Sequence, residues 1–300
     1  MRNTKTVLAC LAIVAALTVG GLLLASSTSA DPMAADKRPH DTSTPEIPDK
    51  IDFCGEAVPL DRQDVREAME REMITCTFQH TSTLLNIKRS GRYFPLFERI
   101  LKEMGMPDDL KYLAVAESNL MPTIGSPAGA RGMWQFMEGT AKDYGLKVTK
   151  EIDERLNVEK STRAACQMMR KNYEKFGNWA LAAAAYNGGP AGAQRVTTTQ
   201  HQNNYYDTYW VDETARYVFR ILAFKTIMSN PAKYGFDVSD DELYEPYDTR
   251  ELKLPTPQAD LAQWAIDNGS TYKALRTLNP WILKYQITTS GDTLTVLLPK

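Results

Sequence analysis

LAVAESNLMPTIGSPAGARGMWQF, residues 113 to 136, holds one carboxylate, Glu117, at a place where an acid is poorly solvated. Glu117 follows Leu110 by seven residues, Leu113 by four and Ala114 by three, so on a helix it shares their apolar face. Pro122, Gly125 and Pro127 come next and stop the helix almost at once. The acid therefore falls in a C-terminal turn, where the helix dipole and burial both disfavour its charge. A carboxyl in that position keeps its proton to higher pH and can donate it.

Working outward, the composition narrows the classes. Lys and Arg number 35 against 37 Asp and Glu, and no long basic block occurs, so a nucleic-acid partner is not expected. Arg2 and Lys5 precede an apolar run over 7–25, and small residues 26–30 end in Ala30. That pattern reads over residues 1–30 as an export signal or an N-terminal membrane anchor, placing the protein in the periplasm or cell envelope. Beyond it stand three cysteines, Cys54, Cys76 and Cys166, with no CxxC spacing and no HExxH. Neither a metal nor a cofactor is expected. Whether Cys54 and Cys76 pair is left open.

The fold class expected is mainly α. Residues 31–50, rich in Pro, Thr and charge, read as a disordered linker. Residues 51–105 form an N-terminal helical segment, with an amphipathic helix over 92–104 ended by Gly105. A further helical domain spans 106–235, with helices expected near 136–144, 158–176, 179–186 and 213–228. Residues 250–300 form a small α+β extension.

Three segments carry chemistry-bearing residues: Glu117-Ser118; Gly129-Ala130-Arg131-Gly132 with Gln135 and Met137; and Tyr186-Asn187-Gly188 at the end of an alanine run. Glycines let a backbone approach a ligand closely, and a glutamine amide both donates and accepts. Each segment alone reads equally as a packed helix end or a tight loop. In order, with Ser126, Thr140-Ala141 and Glu213-Thr214-Ala215-Arg216-Tyr217-Val218, they resemble the catalytic domain of lytic transglycosylases of the soluble and membrane-bound type D group. That group shares a goose-type lysozyme-like fold and cleaves bacterial peptidoglycan.

The resemblance explains the missing second acid. Glycoside hydrolases use two carboxylates flanking the bond. Glu138, Asp143 and Glu154 read as solvated, so Glu117 stands alone. The resemblance implies that one Glu protonates the bridging oxygen of the MurNAc–GlcNAc β-1,4 bond. It then takes the proton from the MurNAc C6 hydroxyl as a 1,6-anhydro ring closes. Ser118, Ser126, Gln135, Met137, Tyr186, Asn187, Glu213 and Tyr217 are the substrate-binding residues so implied, with peptidoglycan glycan strands as partner. A muramidase hydrolase and a non-catalytic exported glycan-binding protein are the alternatives.

The aromatic run 205–210 suits sugar stacking or internal packing about equally. The tail reads as helices over 260–268 and 272–278, then Asn279-Pro280-Trp281-Ile282 and a closing strand. It looks like a divergent LysM-type module lacking its opening strand. A plain extension packed on the catalytic domain explains it equally well.

Overall fold

In the computed structural model, residues 43–300 are described apart from Ser290 and Asp292. The expected signal or anchor, and the linker as far as residue 42, lie outside the described residues.

A short hairpin, β1 (Asp52–Phe53) and β2 (Glu56–Ala57), precedes the helices. Helix α1 (Gln63–Phe78) turns its Val65, Met69, Glu72, Met73 and Cys76 face inward. Helix α2 (His80–Glu103) runs unbroken through Pro95 and begins well before the helix expected over 92–104. The chain at 244–245 crosses this helix: the Tyr244 N–H donates to Lys88 O at 2.8 Å, and Arg92 Nε donates to Glu245 O. Gly91 permits this crossing, because a Cβ there would stand 2.7 Å from Leu243 Cβ.

Helix α3 (Lys111–Ser118) is short, as Pro122 and the glycines require, and Asn119 closes it in the left-handed conformation at φ 51°. Helix α4 (Glu138–Asp143) follows the glycine-rich loop. Helices α5 (Val158–Phe176) and α6 (Trp179–Gly188) are capped by Asn157 and Asn178. Ala180 to Ala185 are all buried, so α6 is apolar all round, and its small side chains let α5, α7 (Pro190–Gln200) and α8 (Asp212–Ser229) pack close against it. A single apolar core runs from Ile47 to Phe236.

That core corrects the linker expectation at its end. Pro45 and Ile47 are buried and Tyr234 Oη donates to the Glu46 carbonyl, so residues 45–47 are held on the domain by anchors that composition alone obscured. Among the described residues the three cysteines, Cys54, Cys76 and Cys166, are free. Cys54 sits at the hairpin tip with its N–H donated to Asp109 Oδ2, while Cys76 faces the core from α1. Burial pushes the Cys76 thiol up to about 12 and the Cys166 thiol up to about 11, so neither is a ready nucleophile.

The C-terminal part has the order β3 (Thr249–Pro255), α9 (Leu261–Asp267), α10 (Tyr272–Leu278), β4 (Thr293–Pro299). The opening strand read as missing is present. It pairs antiparallel with β4 through Leu252↔Val296 and Leu254↔Leu294. Its alternation of Leu252 and Leu254 with Glu251 and Lys253 was masked by the prolines that follow. Asn279 fastens this module, donating to Leu275 O and Leu297 O and accepting from the Leu297 N–H. The module also docks on the helical domain. Ile152 and Leu156 share its core, and the Asp153 N–H donates to Trp281 O at 2.8 Å.

Candidate active site

Three walls meet at Glu117. The first is α3, which ends one residue later and leaves the carboxyl half-buried at its C-terminal turn. The second is α8, whose buried Tyr217 donates its hydroxyl to Glu117 Oε1 at 2.5 Å. The third is the end of α6, from which Tyr186 donates to the Trp134 carbonyl at 2.7 Å.

Burial pushes the Glu117 carboxyl up to about 7, while the Tyr217 hydrogen bond and the charge of Arg220 pull it down and Glu213 raises it. Burial and the nearby Glu117 charge raise Tyr186 and Tyr217 well above the usual phenol range, so both remain neutral O–H donors. A carboxyl poised near neutrality can give a proton and later take one.

The glycine-rich loop is built as a cradle. Gly132, at φ +83°, lies so close to residue 155 that a Cβ would come within 1.9 Å of Arg155 O. Gln135 itself adopts φ 47° and donates Nε2 to Gly132 O and Ile124 O. Beneath the loop, buried Arg155 donates to Gly129 O and Phe136 O and forms a two-pronged pair with buried Asp153.

Residues 94–208 match the family described as the transglycosylase SLT domain. The chain carries an SLT domain. Residues 250–300 match the soluble lytic transglycosylase C-terminal LysM-like domain, which resolves the two readings of the tail. The membrane-bound lytic murein transglycosylase D of Escherichia coli K12 is 30% identical over 241 residues, covering 79% of this chain and 52% of that protein. The chain thus spans about half the length of that relative. The peptidoglycan transglycosylase gp16 of phage T7 is 40% identical over 100 residues, 32% of this chain and 8% of that one. Among solved structures, the 70 kDa soluble lytic transglycosylase of Escherichia coli is 24% identical with a TM-score of 0.40, covering 52% of this chain and 27% of that one.

Around the SLT domain the residues singled out in the sequence separate into groups. Glu117, Tyr217 and Tyr186 come together. Ser126 forms the loop's turn, accepting at Oγ from the Ala130 N–H, and Met137 stands 46% exposed at the start of α4. Gln135 lies half-buried with its amide N–H groups spent on the loop. Asn187 accepts from Thr214 Oγ1, joining α6 to α8.

Ser118 departs from its expected role. It is buried, and its hydroxyl donates to Ala114 O and lies 3.4 Å from Met133 Sδ, so it supports the loop instead of facing a ligand. Glu213 is exposed and paired with Arg220. Glu154, read as solvated, is buried and engaged by the Lys147 N–H and by Lys160. Of the aromatic run, Tyr205 and Trp210 pack in the core, while Tyr209 is 87% exposed.

Sequence reasoning missed Arg220, Asp153, Arg155 and Glu72. Glu72 had a readable signal, since it lies three residues after Met69 and four before Cys76 on the buried stripe of α1.

Proposed function

We propose that this chain is an exported peptidoglycan lytic transglycosylase. It cleaves the MurNAc–GlcNAc β-1,4 bond, with Glu117 acting as acid and then as base and 1,6-anhydroMurNAc as the product end. The observation that carries the reading is a single carboxyl, pushed up to about 7 and bonded to Tyr217, with no second free acid beside it among the described residues. Asp153, Glu154 and Glu72 are buried in ion pairs, and Glu213 is tied to Arg220.

The chemistry then follows in two proton transfers. Protonated Glu117 gives its proton to the glycosidic oxygen as the C1–O bond breaks. The carboxylate left behind, steadied by the Tyr217 hydroxyl, accepts the proton of the C6 hydroxyl as its oxygen bonds to C1. No water enters, so no base for water is required. Ser126, Gln135 and Met137 on the cradle, with Tyr186 and Asn187 on α6, line the path of the glycan in this reading. The similarity to lytic murein transglycosylases supports the substrate class and a cell-envelope location.

Mass analysis of muropeptides released from purified sacculi tests the proposal. Products ending in 1,6-anhydroMurNAc, lighter by one water than hydrolysis products, are expected. Reducing-end MurNAc as the main product would establish a muramidase, and binding without release would establish a glycan-binding protein.

A further inference from the structure

Glu213, Tyr217 and Arg220 stand at spacings of four and three on α8, so they form one stripe of that helix facing the site. Tyr217 at its centre holds Glu117. Arg220 is held on two sides. Its Nη1 donates to Glu213 Oε1 at 3.2 Å, and its Nε lies 3.7 Å from Oε2 of Glu72 on α1. Glu72 is 0% exposed and also receives Arg216 Nε at 2.7 Å and Arg71 Nε at 3.3 Å. A guanidinium placed between a buried and an exposed carboxylate has little freedom to swing away.

We propose that Arg220 is a positioning residue of the site: clamped between Glu72 and Glu213, it keeps a fixed positive charge alongside the Tyr217–Glu117 pair and steadies the carboxylate that Glu117 becomes in mid-reaction. This rests on the acid-then-base reading of Glu117. An acid that must serve as a base a moment later needs its anion neither too costly nor too stable. Burial alone makes the anion costly, and one hydrogen bond from a neutral phenol offsets only part of that.

The charged and titratable groups around Glu117 are few. Helix α8 presents Tyr217, Arg220 and Glu213, and α6 presents Tyr186. From α2, Arg89 is engaged on the Asn119 carbonyl, and from the loop Arg131 lies toward Asp153. Arg220 is the cation whose charge draws the Glu117 carboxyl down, opposed by Glu213. The clamp also lies outside the matched residues 94–208, so α1 and α8 supply it from the flanks of the SLT domain.

The test is the pH profile of kcat/KM on solubilised glycan strands for the native protein, Arg220→Met, Arg220→Lys and Glu213→Gln, with far-UV circular dichroism for folding. The alkaline limb reports loss of the Glu117 proton. Removing the cation makes the anion costlier, so in Arg220→Met the limb moves up by about half a unit to one unit and kcat falls. Arg220→Lys restores most of the native profile. Glu213→Gln removes a neighbouring negative charge at an exposed position and moves the limb the opposite way.

An Arg220→Met profile superimposable on the native one, with unchanged kcat, overturns the inference. If Arg220→Met fails to fold, an unmoved limb in Glu213→Gln overturns it instead. Glu117→Gln, run in parallel, separates the two claims. If that variant stays active, the reading of Glu117 fails. If it is dead while the Arg220 and Glu213 profiles do not move, only the inference about Arg220 fails.

Discussion

Helix α8 receives two buried or half-buried glutamates, Glu72 from α1 and Glu117 from α3, and treats them in opposite ways. Both lie on apolar helix faces, three residues beyond a core side chain. Glu72 meets three guanidiniums, those of Arg71, Arg216 and Arg220. Glu117 meets a phenol. An acid surrounded by cations serves as a fastener between helices. Burial pushes the Glu117 carboxyl up to about 7, because its phenol partner offsets only part of that cost, so it can change its charge during a reaction. The difference lies in which side chains of α8 each acid meets: Arg216 and Arg220 reach Glu72, and Tyr217, on the same stripe as Arg220, bonds Glu117. Burial of an acid is thus not a mark of catalysis; its partners decide.

The largest effect expected from breaking this contrast is at Glu117. Glu117→Gln keeps shape and hydrogen bonding but cannot carry a proton, so glycan binding survives while turnover falls by at least roughly 10²–10⁴-fold. Stability moves the other way. The folded carboxyl is raised to about 7, above its unfolded value, so the folded state binds the proton more tightly. Its favourable contribution is complete at acid pH and is lost as pH rises through about 7. Glu117→Gln is therefore expected to melt higher than the native protein at pH 8, by an amount that shrinks toward pH 5. Melting curves that differ equally at both pH values would show that Glu117 does not titrate in this range.

Glu72→Gln is the matched variant, and its effects fall on the fold. It leaves three partly exposed guanidiniums facing an amide, which costs about 1–3 kcal/mol of unfolding free energy, less than a fully buried pair because the cations can reach water. Turnover changes only a few-fold, since the Tyr217–Glu117 pair is untouched and Glu213 still holds Arg220. Denaturant unfolding followed by tryptophan fluorescence reads the first, and release of soluble muropeptides the second. A Glu72→Gln protein as stable as the native one but as inactive as Glu117→Gln would reverse the assignment of the two acids.

Much of this was legible from local patterns. The helix ends around Glu117 follow from Pro122 and the glycines. The start of α5 at Val158 follows from its Asn157 cap, and the end of α6 from the glycines after Asn187. What stayed hidden depends on contacts distant in the chain. Helix α2 is crossed at Lys88 and Arg92 by residues 244 and 245, about 150 positions later. Strand β3 is recognisable through its pairing with β4, some 40 residues on. Within the site, Tyr217 could be placed by motif, but Ser118 could not be told from a ligand-facing serine without seeing Met133 against it. Arg220 and Arg155 carry no local mark, because a charge run reads the same whether its partner is water or a buried acid.

A third acid sharpens the comparison with the smallest expected effect. Glu151 is half-buried on the segment where the LysM-like module docks, and its partners are neither guanidinium nor phenol. Its carboxylate accepts from the backbone N–H and the hydroxyl of both Thr288 and Thr289, and these bonds hold it down at about 2. Here neutral donors favour the anion, as they do at an N-cap, because they outweigh the opposing burial. The carboxyl is depressed below its unfolded value, so its contribution is present above the ordinary glutamate range and is lost as pH falls through about 2. Glu151→Gln is thus expected to lower the melting temperature slightly at pH 6 and to match the native protein near pH 2. Turnover stays unchanged, because the residue touches the module and not Glu117. A deficit that persisted unchanged at pH 2 would mean that shape, and not charge, holds this contact. The rule that partners decide an acid's state would then stop at the edge of the buried pairs.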